Sequence, residues 1–173
     1  MLTAAQRFRN ILAGDKCTPA APIFDPLSAR IADMLGWEVC KLSGSVGKFA
    51  NLALPDEIPL SNMSDLVDVC WRIKRVADVC LIADADDGGG SALNVMRTVR
   101  ELEAAGVDII QFDEPAFNVF FDEVNDWGIA TLERAIEGLK CETAVHICYG
   151  YGIKANTDWK NTLGSEWRQY EES

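Results

Sequence analysis

Short apolar runs alternate along this chain with stretches whose apolar residues recur at helical spacing. Residues 20–24 form a strand candidate, followed by a helix over 26–35 that Gly36 closes. Residues 37–42 are the next strand. Ser64 is placed to cap a long amphipathic helix, in which Leu66, Val69, Cys70, Ile73 and Val76 share one face. A buried strand over 79–83 leads to a helix over 92–105. The stripe Leu93, Met96, Val99 and Leu102 marks that helix and Gly106 stops it. A strand over 107–112, a helix over 127–139, a strand over 143–147 and a helix over 157–170 complete the series. Residues 1–14 read as a short amphipathic helix carrying Arg7 and Arg9; no apolar stretch follows to make it a signal peptide.

A β-α succession with short apolar strands predicts an α/β fold, a parallel sheet covered by helices. The pattern contains about five strands, whereas a complete eight-fold barrel takes roughly 250 residues. The expected fold is therefore an incomplete, truncated TIM-type β/α barrel, open at its first and fifth strands. Unpaired edges invite self-association, so a homo-oligomer is expected. With 173 residues and neither linker nor internal repeat, the chain is read as one domain.

Composition adds constraints. A net charge of −11 argues against nucleic acid and anionic membranes as partners. The charge is uneven, with a net of −3 over residues 1–105 and −8 over 106–173. No apolar run is long enough to span a bilayer. The six cysteines lack the spacing of a disulfide framework, and Cys40, Cys70 and Cys80 lie in apolar runs expected to bury free thiols. A cytoplasmic location is expected.

Candidate chemistry gathers where strands end, the usual place for ligands in α/β sheets and barrels. Leu81-Ile-Ala-Asp-Ala-Asp86 sets two carboxylates two residues apart, on one face of a strand end, where a hard ion such as Mg²⁺ can bind. The alternative is a solvated turn before a helix capped at Ser91. Ser43-Gly-Ser45 offers backbone N–H groups and hydroxyls to a carboxylate. Gly88-Gly-Gly90 lets the backbone pass close to a ligand. Val145-His-Ile-Cys148 places an imidazole and a thiol two apart, a pairing suited to Zn²⁺; the alternative for His146 is a hydrogen-bonded core residue. Trp127, Trp159 and Trp167 are read as packing residues.

Ile23-Phe-Asp-Pro-Leu-Ser-Ala-Arg30, Leu42-Ser-Gly-Ser45, Leu54-Pro-Asp56, Ile82-Ala-Asp-Ala-Asp86 and Ala92-Leu-Asn-Val95 occur in one order at natural spacings. As a set, they resemble the isocitrate lyase/phosphoenolpyruvate mutase superfamily, most closely its oxaloacetate decarboxylase-like branch, over residues 1–105. The resemblance implies that Asp84 and Asp86 hold Mg²⁺, directly or through water. It also implies that Ser43, Gly44 and Ser45 bind the carboxylate of a small 2-oxo acid, and that Asp86 takes part in catalysis. Such enzymes cleave or form a bond beside a 2-oxo acid. Gly88-Gly-Gly-Ser91 departs from the family's Gly-Tyr-Gly-Asn, and Asp87 adds a third negative charge.

Leu102-Glu-Ala-Ala-Gly-Val-Asp-Ile-Ile-Gln-Phe-Asp-Glu-Pro-Ala116 and Val145-His-Ile-Cys-Tyr149 resemble the catalytic barrel of cobalamin-independent methionine synthase. This resemblance implies that His146 and Cys148 are zinc ligands of an incomplete site, that Asp113 binds the amine of a homocysteine-like substrate, and that Glu114 is a neighbouring candidate. The chain thus looks like a chimera of residues 1–105 and 106–173, joined near Gly106. In the first family's pattern a metal-linked glutamate stands where Asp113 is, so Asp113 is also a candidate to complete the Mg²⁺ site and to act in catalysis. Three functions follow: a Mg²⁺-dependent carbon–carbon lyase or decarboxylase, a zinc-dependent methyltransferase, and a non-catalytic half-barrel.

Overall fold

The computed structural model describes residues 2–54, 62–86, 88–147 and 154–163. The elements run α1 (Ala4–Leu12), β1 (Ala21–Ile23), α2 (Pro26–Met34), β2 (Val39–Leu42), α3 (Gly44–Leu52), α4 (Met63–Lys74), β3 (Cys80–Asp84), α5 (Ala92–Ala104), β4 (Ile109–Asp113), α6 (Ala116–Val119), α7 (Phe121–Val124), α8 (Gly128–Ile136), β5 (Glu142–His146) and α9 (Lys154–Leu163). The five strands form one parallel sheet in the order β1-β2-β3-β4-β5. Sequential parallel order is the order of a β/α barrel wall, and among the described residues the sheet stays open at β1 and β5.

Local chemistry explains where the helices start. Asp25 caps α2: its Oδ1 accepts from the Ser28 N–H at 2.7 Å, Ser28 Oγ accepts from the Asp25 N–H at 3.1 Å, and Pro26 takes the first turn. The Phe-Asp-Pro-Leu-Ser segment therefore has a structural reason of its own. Helix α4 begins two residues before the position expected from Ser64. Asn62 and Asp65 form a reciprocal box, Asn62 Oδ1 accepting at 3.1 Å and Asp65 Oδ2 at 3.2 Å. Ser91 caps α5 as expected, accepting from the Asn94 N–H. Helices α3, α6 and α7 were not expected from the periodicity; α6 and α7 are four residues each, too short to show any.

The sheet's two faces have different partners. Ile23, Cys40, Leu42, Leu81, Ala83 and Ile110 point towards the covering helices, where Cys70 and Ile73 of α4 and Val99 and Leu102 of α5 join one core. Val39, Cys80 and Ile109 point the other way and pack on Ala4 of α1, with Phe8 and Ile11 beside it. Arg7 pairs with Asp78 at 3.0 Å and Arg9 pairs with Glu142, holding α1 across the amino ends of the strands. This inner face is apolar at its α1 end and becomes polar towards the carboxyl ends.

Some expected core positions differ. Leu93 is 79% exposed, because α5 meets the core through Val95, Val99 and Leu102, and Val95, two residues on, points to the opposite side from Leu93. Val76 is exposed, since α4 ends at Lys74 and Ala77 takes the buried place. Trp127, expected to pack, precedes α8 and is 54% exposed. Helix α9 starts at Lys154, three residues before the expected start, and the expected end near 170 lies outside the described residues.

Candidate active site at the carboxyl ends of the strands

Strand alternation brings the polar inner residues together. Val39 pairs with Cys80, so Lys41 stands beside Ile82 on the same face. Asp84 pairs with Gln111, and Asp113 pairs with His146. Lys41, Asp84, Gln111, Asp113 and His146 thus form a polar row across β2 to β5, above the apolar floor made with α1.

Asp84 is buried and salt-bridged at 3.3 Å to the Lys41 ammonium. Its Oδ1 accepts from the Asp86 N–H at 3.2 Å, so both acids stand at one strand end. Asp86 has a left-handed backbone, φ 45°, an arrangement uncommon outside glycine. Its carboxylate pairs with Lys48 of α3 at 3.3 Å. A Cβ added to Gly44 would lie 2.5 Å from Asp86 Oδ1, so only glycine lets α3 approach this closely.

Ser43 precedes α3 and Ser45 lies in its first turn. Their hydroxyls are 3.0 Å apart, and Ser43 makes no side-chain capping bond. The amino end of α3, with its free N–H groups and two hydroxyls, suits an anion. A cleft of about 320 Å³ opens there between α3 and α4, touching Ser43, Gly44, Lys48 and Asp86. Beyond it, Gly88, Gly89 and Gly90 all have positive φ, 66°, 95° and 78°, and turn the chain into α5. Asp87 and the Pro55-Asp56 pair lie outside the described residues.

At the other end of the row, Asp113 Oδ1 accepts from the Gln111 amide at 2.7 Å and lies 3.1 Å from His146 Nδ1. A carboxylate only accepts, so the neutral imidazole of His146 that makes this bond carries its proton on Nδ1, and Nε2 is then the accepting nitrogen. The Glu114 N–H donates to the His146 carbonyl at 2.9 Å. Burial, and then the Asp113 charge, push the Glu114 carboxyl above its ordinary value.

The pattern of donors suits one metal better than the other. Mg²⁺ takes one or two carboxylates and fills its octahedron with water and substrate oxygens, which Asp84 and Asp86 allow. No three of His, Cys, Asp and Glu gather as a metal-type group among the described residues, and Asp113 is bonded to Gln111 and His146. Cys148, the expected partner of His146, lies outside the described residues. His146 by itself does not make a zinc site. Lys41 and Lys48 were missed from sequence. Lys41 is the one charge inside the apolar run Val39-Cys-Lys-Leu42, on the same strand face as Ser43, and that lone charge was the available signal.

No family profile matches the chain. An oxaloacetate decarboxylase of Pseudomonas fluorescens (strain SBW25) is 51% identical over 107 residues, 62% of this chain and 37% of the relative. The chain thus spans little more than a third of the length of the curated relatives it matches. Among solved structures, a phosphoenolpyruvate phosphomutase from Streptomyces platensis subsp. rosaceus is 31% identical with a TM-score of 0.57, covering 65% of this chain and 38% of its own. A 2,3-dimethylmalate lyase, a PEP mutase/isocitrate lyase superfamily member, shares the fold over 96% of this chain and 62% of its own, at 21% identity and a TM-score of 0.65. A B12-independent methionine synthase from Shewanella sp. W3-18-1 is 60% identical, covering 62% of this chain and 37% of its own, with a TM-score of 0.49. The chain is an α/β protein that resembles the PEP mutase/isocitrate lyase superfamily in sequence and in fold.

Proposed function

We propose that this chain carries the Mg²⁺- and 2-oxo-acid-binding half of a carbon–carbon lyase or decarboxylase. One observation carries the proposal: Asp84 and Asp86 stand at one strand end, against the amino end of α3, with Ser43, Ser45 and Lys48 beside them. A divalent cation and a carboxylate can therefore be held side by side. The similarity to oxaloacetate decarboxylases supports the same chemistry.

In this scheme Asp84 and Asp86 hold Mg²⁺. When bound, the ion supplies Lewis acidity to the carbonyl and carboxylate oxygens of a 2-oxo acid as the neighbouring carbon–carbon bond breaks. The amino end of α3, with Ser43 and Ser45, orients the substrate carboxylate. Gly44 keeps the anion site and Asp86 in contact. Lys41 and Lys48 add positive charge where the substrate is most negative.

The direct test is Mg²⁺-dependent release of pyruvate from oxaloacetate by purified protein. Release that is faster than in buffer, and lost in Asp86→Asn, supports the proposal. Release no faster than in buffer at any Mg²⁺ concentration, with no binding of Mg²⁺ by the folded protein, contradicts it.

A second function is favoured by the His146–Asp113 pair. In a methionine synthase-like scheme His146 is a zinc ligand through its free Nε2, with Asp113 fixing the ring, and Cys148 is the second ligand. The chain is then a fusion joined near Gly106, and each half retains part of a site. Zinc found in purified protein, and lost in His146→Ala, distinguishes this scheme from the first.

A further inference from the structure

We infer that Lys41 and Lys48 are exchangeable counter-ions: they neutralise Asp84 and Asp86 while the metal is away, and turn to the substrate's carboxylates once Mg²⁺ has taken the two acids. The inference rests on the proposed Mg²⁺ site and adds to it an order of binding and a coupling between the two ligands.

Each candidate metal ligand has its own lysine. Lys41 reaches Asp84 from β2 at 3.3 Å, and Lys48 reaches Asp86 from α3 at 3.3 Å. The two lysines come from different elements and meet different acids, so one shared loop does not explain both contacts. Both acids lie in the mouth of the site, and Asp84 is nearly buried. Two neighbouring carboxylates in that setting repel each other unless cations stand between them. An ammonium meets this need without the six-fold oxygen geometry that Mg²⁺ demands.

Lys48 lies one helical turn beyond Gly44, on the helix whose amino end faces Asp86. It also borders the cleft that touches Ser43 and Gly44. A small swing of its flexible stem moves the ammonium from Asp86 into that cleft. Lys41 sits on the inner face of β2, two residues before Ser43, and has the same choice between Asp84 and a ligand above the strand ends.

Energetically, Mg²⁺ must displace two ion pairs to bind alone. A 2-oxo dicarboxylate offers those lysines new partners, so it favours the metal-bound arrangement. By linkage, Mg²⁺ tightens the dianion by the same factor as the dianion tightens Mg²⁺. The protein then holds Mg²⁺ weakly alone and firmly with its substrate.

The test is calorimetric titration of the full chain with Mg²⁺, with and without oxalate as an unreactive dianion. Oxalate is expected to tighten Mg²⁺ binding in the wild type. Lys48→Met, which keeps the buried stem but not the charge, is expected to bind Mg²⁺ alone about fivefold or more tightly and to lose most of the tightening by oxalate. Lys41→Met should behave similarly, and Lys48→Arg should keep wild-type behaviour. Thermal melts of each variant establish that it is folded. Unchanged or weaker Mg²⁺ binding in both methionine variants, or undiminished oxalate coupling, overturns the inference and leaves the metal site standing. A folded wild type that binds no Mg²⁺ with or without oxalate overturns the site itself, and the inference with it.

Discussion

The Asp86 carboxylate lies against the Cα of Gly44, so near that a methyl group on Gly44 would come within 2.5 Å of an Asp86 oxygen. One contact thereby links the acidic end of β3 to the amino end of α3. Neither element can move without disturbing the other.

Gly44→Ala should therefore disable the site while sparing the fold. The new methyl pushes Asp86 aside, and overpacking of this kind costs about 1–3 kcal/mol locally. Mg²⁺ affinity is expected to fall about tenfold or more, which corresponds to roughly 1.4 kcal/mol. Far-ultraviolet circular dichroism should match the wild type. Isothermal titration with Mg²⁺ checks the first expectation, and the melting curve the second.

Asp113 faces a different pair of partners, Gln111 and His146. Asp113→Ala is accordingly expected to leave Mg²⁺ affinity unchanged. It should instead alter the imidazole. His146 is the only histidine in the sequence, so its ¹⁵N signals are unambiguous. The wild type is expected to carry the neutral-ring proton on Nδ1. The variant should shift towards the Nε2-protonated form once the acceptor is gone.

The thiols should sort by environment. Burial pushes Cys70 and Cys80 up to about 12, whereas Cys17 is exposed. The thiolate is the reactive form, so near-neutral alkylation of native protein should label Cys17 quickly and leave Cys40, Cys70 and Cys80 untouched until the chain unfolds. Peptide mapping by mass spectrometry reads the order of labelling.

Acid should weaken the junction of α5 with β5. Glu103 accepts from the backbone N–H groups of Lys140 and Cys141, and these bonds hold its carboxyl below the ordinary carboxylate value. Arg9 does the same for Glu142. Both groups are lowered in the folded chain. Their stabilisation is thus fully present above the unfolded value of about 4.3 and is lost as pH falls through the folded values. Glu103→Gln is expected to lower Tm near neutrality and to converge on the wild type as pH falls through the lowered folded value of Glu103. A series of thermal melts across pH measures this.

Much of the architecture was legible in the sequence because short apolar strands and amphipathic helices leave strong periodic signals. Cys70, Ile73, Val99 and Leu102 fell where the helical pattern put them. The same pattern misplaced Leu93, because the face of α5 that meets the core runs through Val95, Thr98, Val99 and Leu102, and Leu93 lies off it. The site was harder to read. Asp84 and Asp86 were evident as a pair of acids, and Ser43 to Ser45 as a possible anion site. Lys41 and Lys48 depend on register between strands and on a helix that no periodic signal announced. The bond between His146 and Asp113 likewise needs the β4–β5 register, since 33 residues separate them.

Asp84 and Asp86, supported by the amino end of α3, are proposed as the binding site for Mg²⁺. A Mg²⁺ titration of the wild type beside Asp84→Asn and Asp86→Asn, all in the presence of oxalate, tests it most directly. One ion bound per wild-type chain, with binding abolished in both variants, is the expected result. No binding by the wild type, or equal binding by all three proteins, would contradict it.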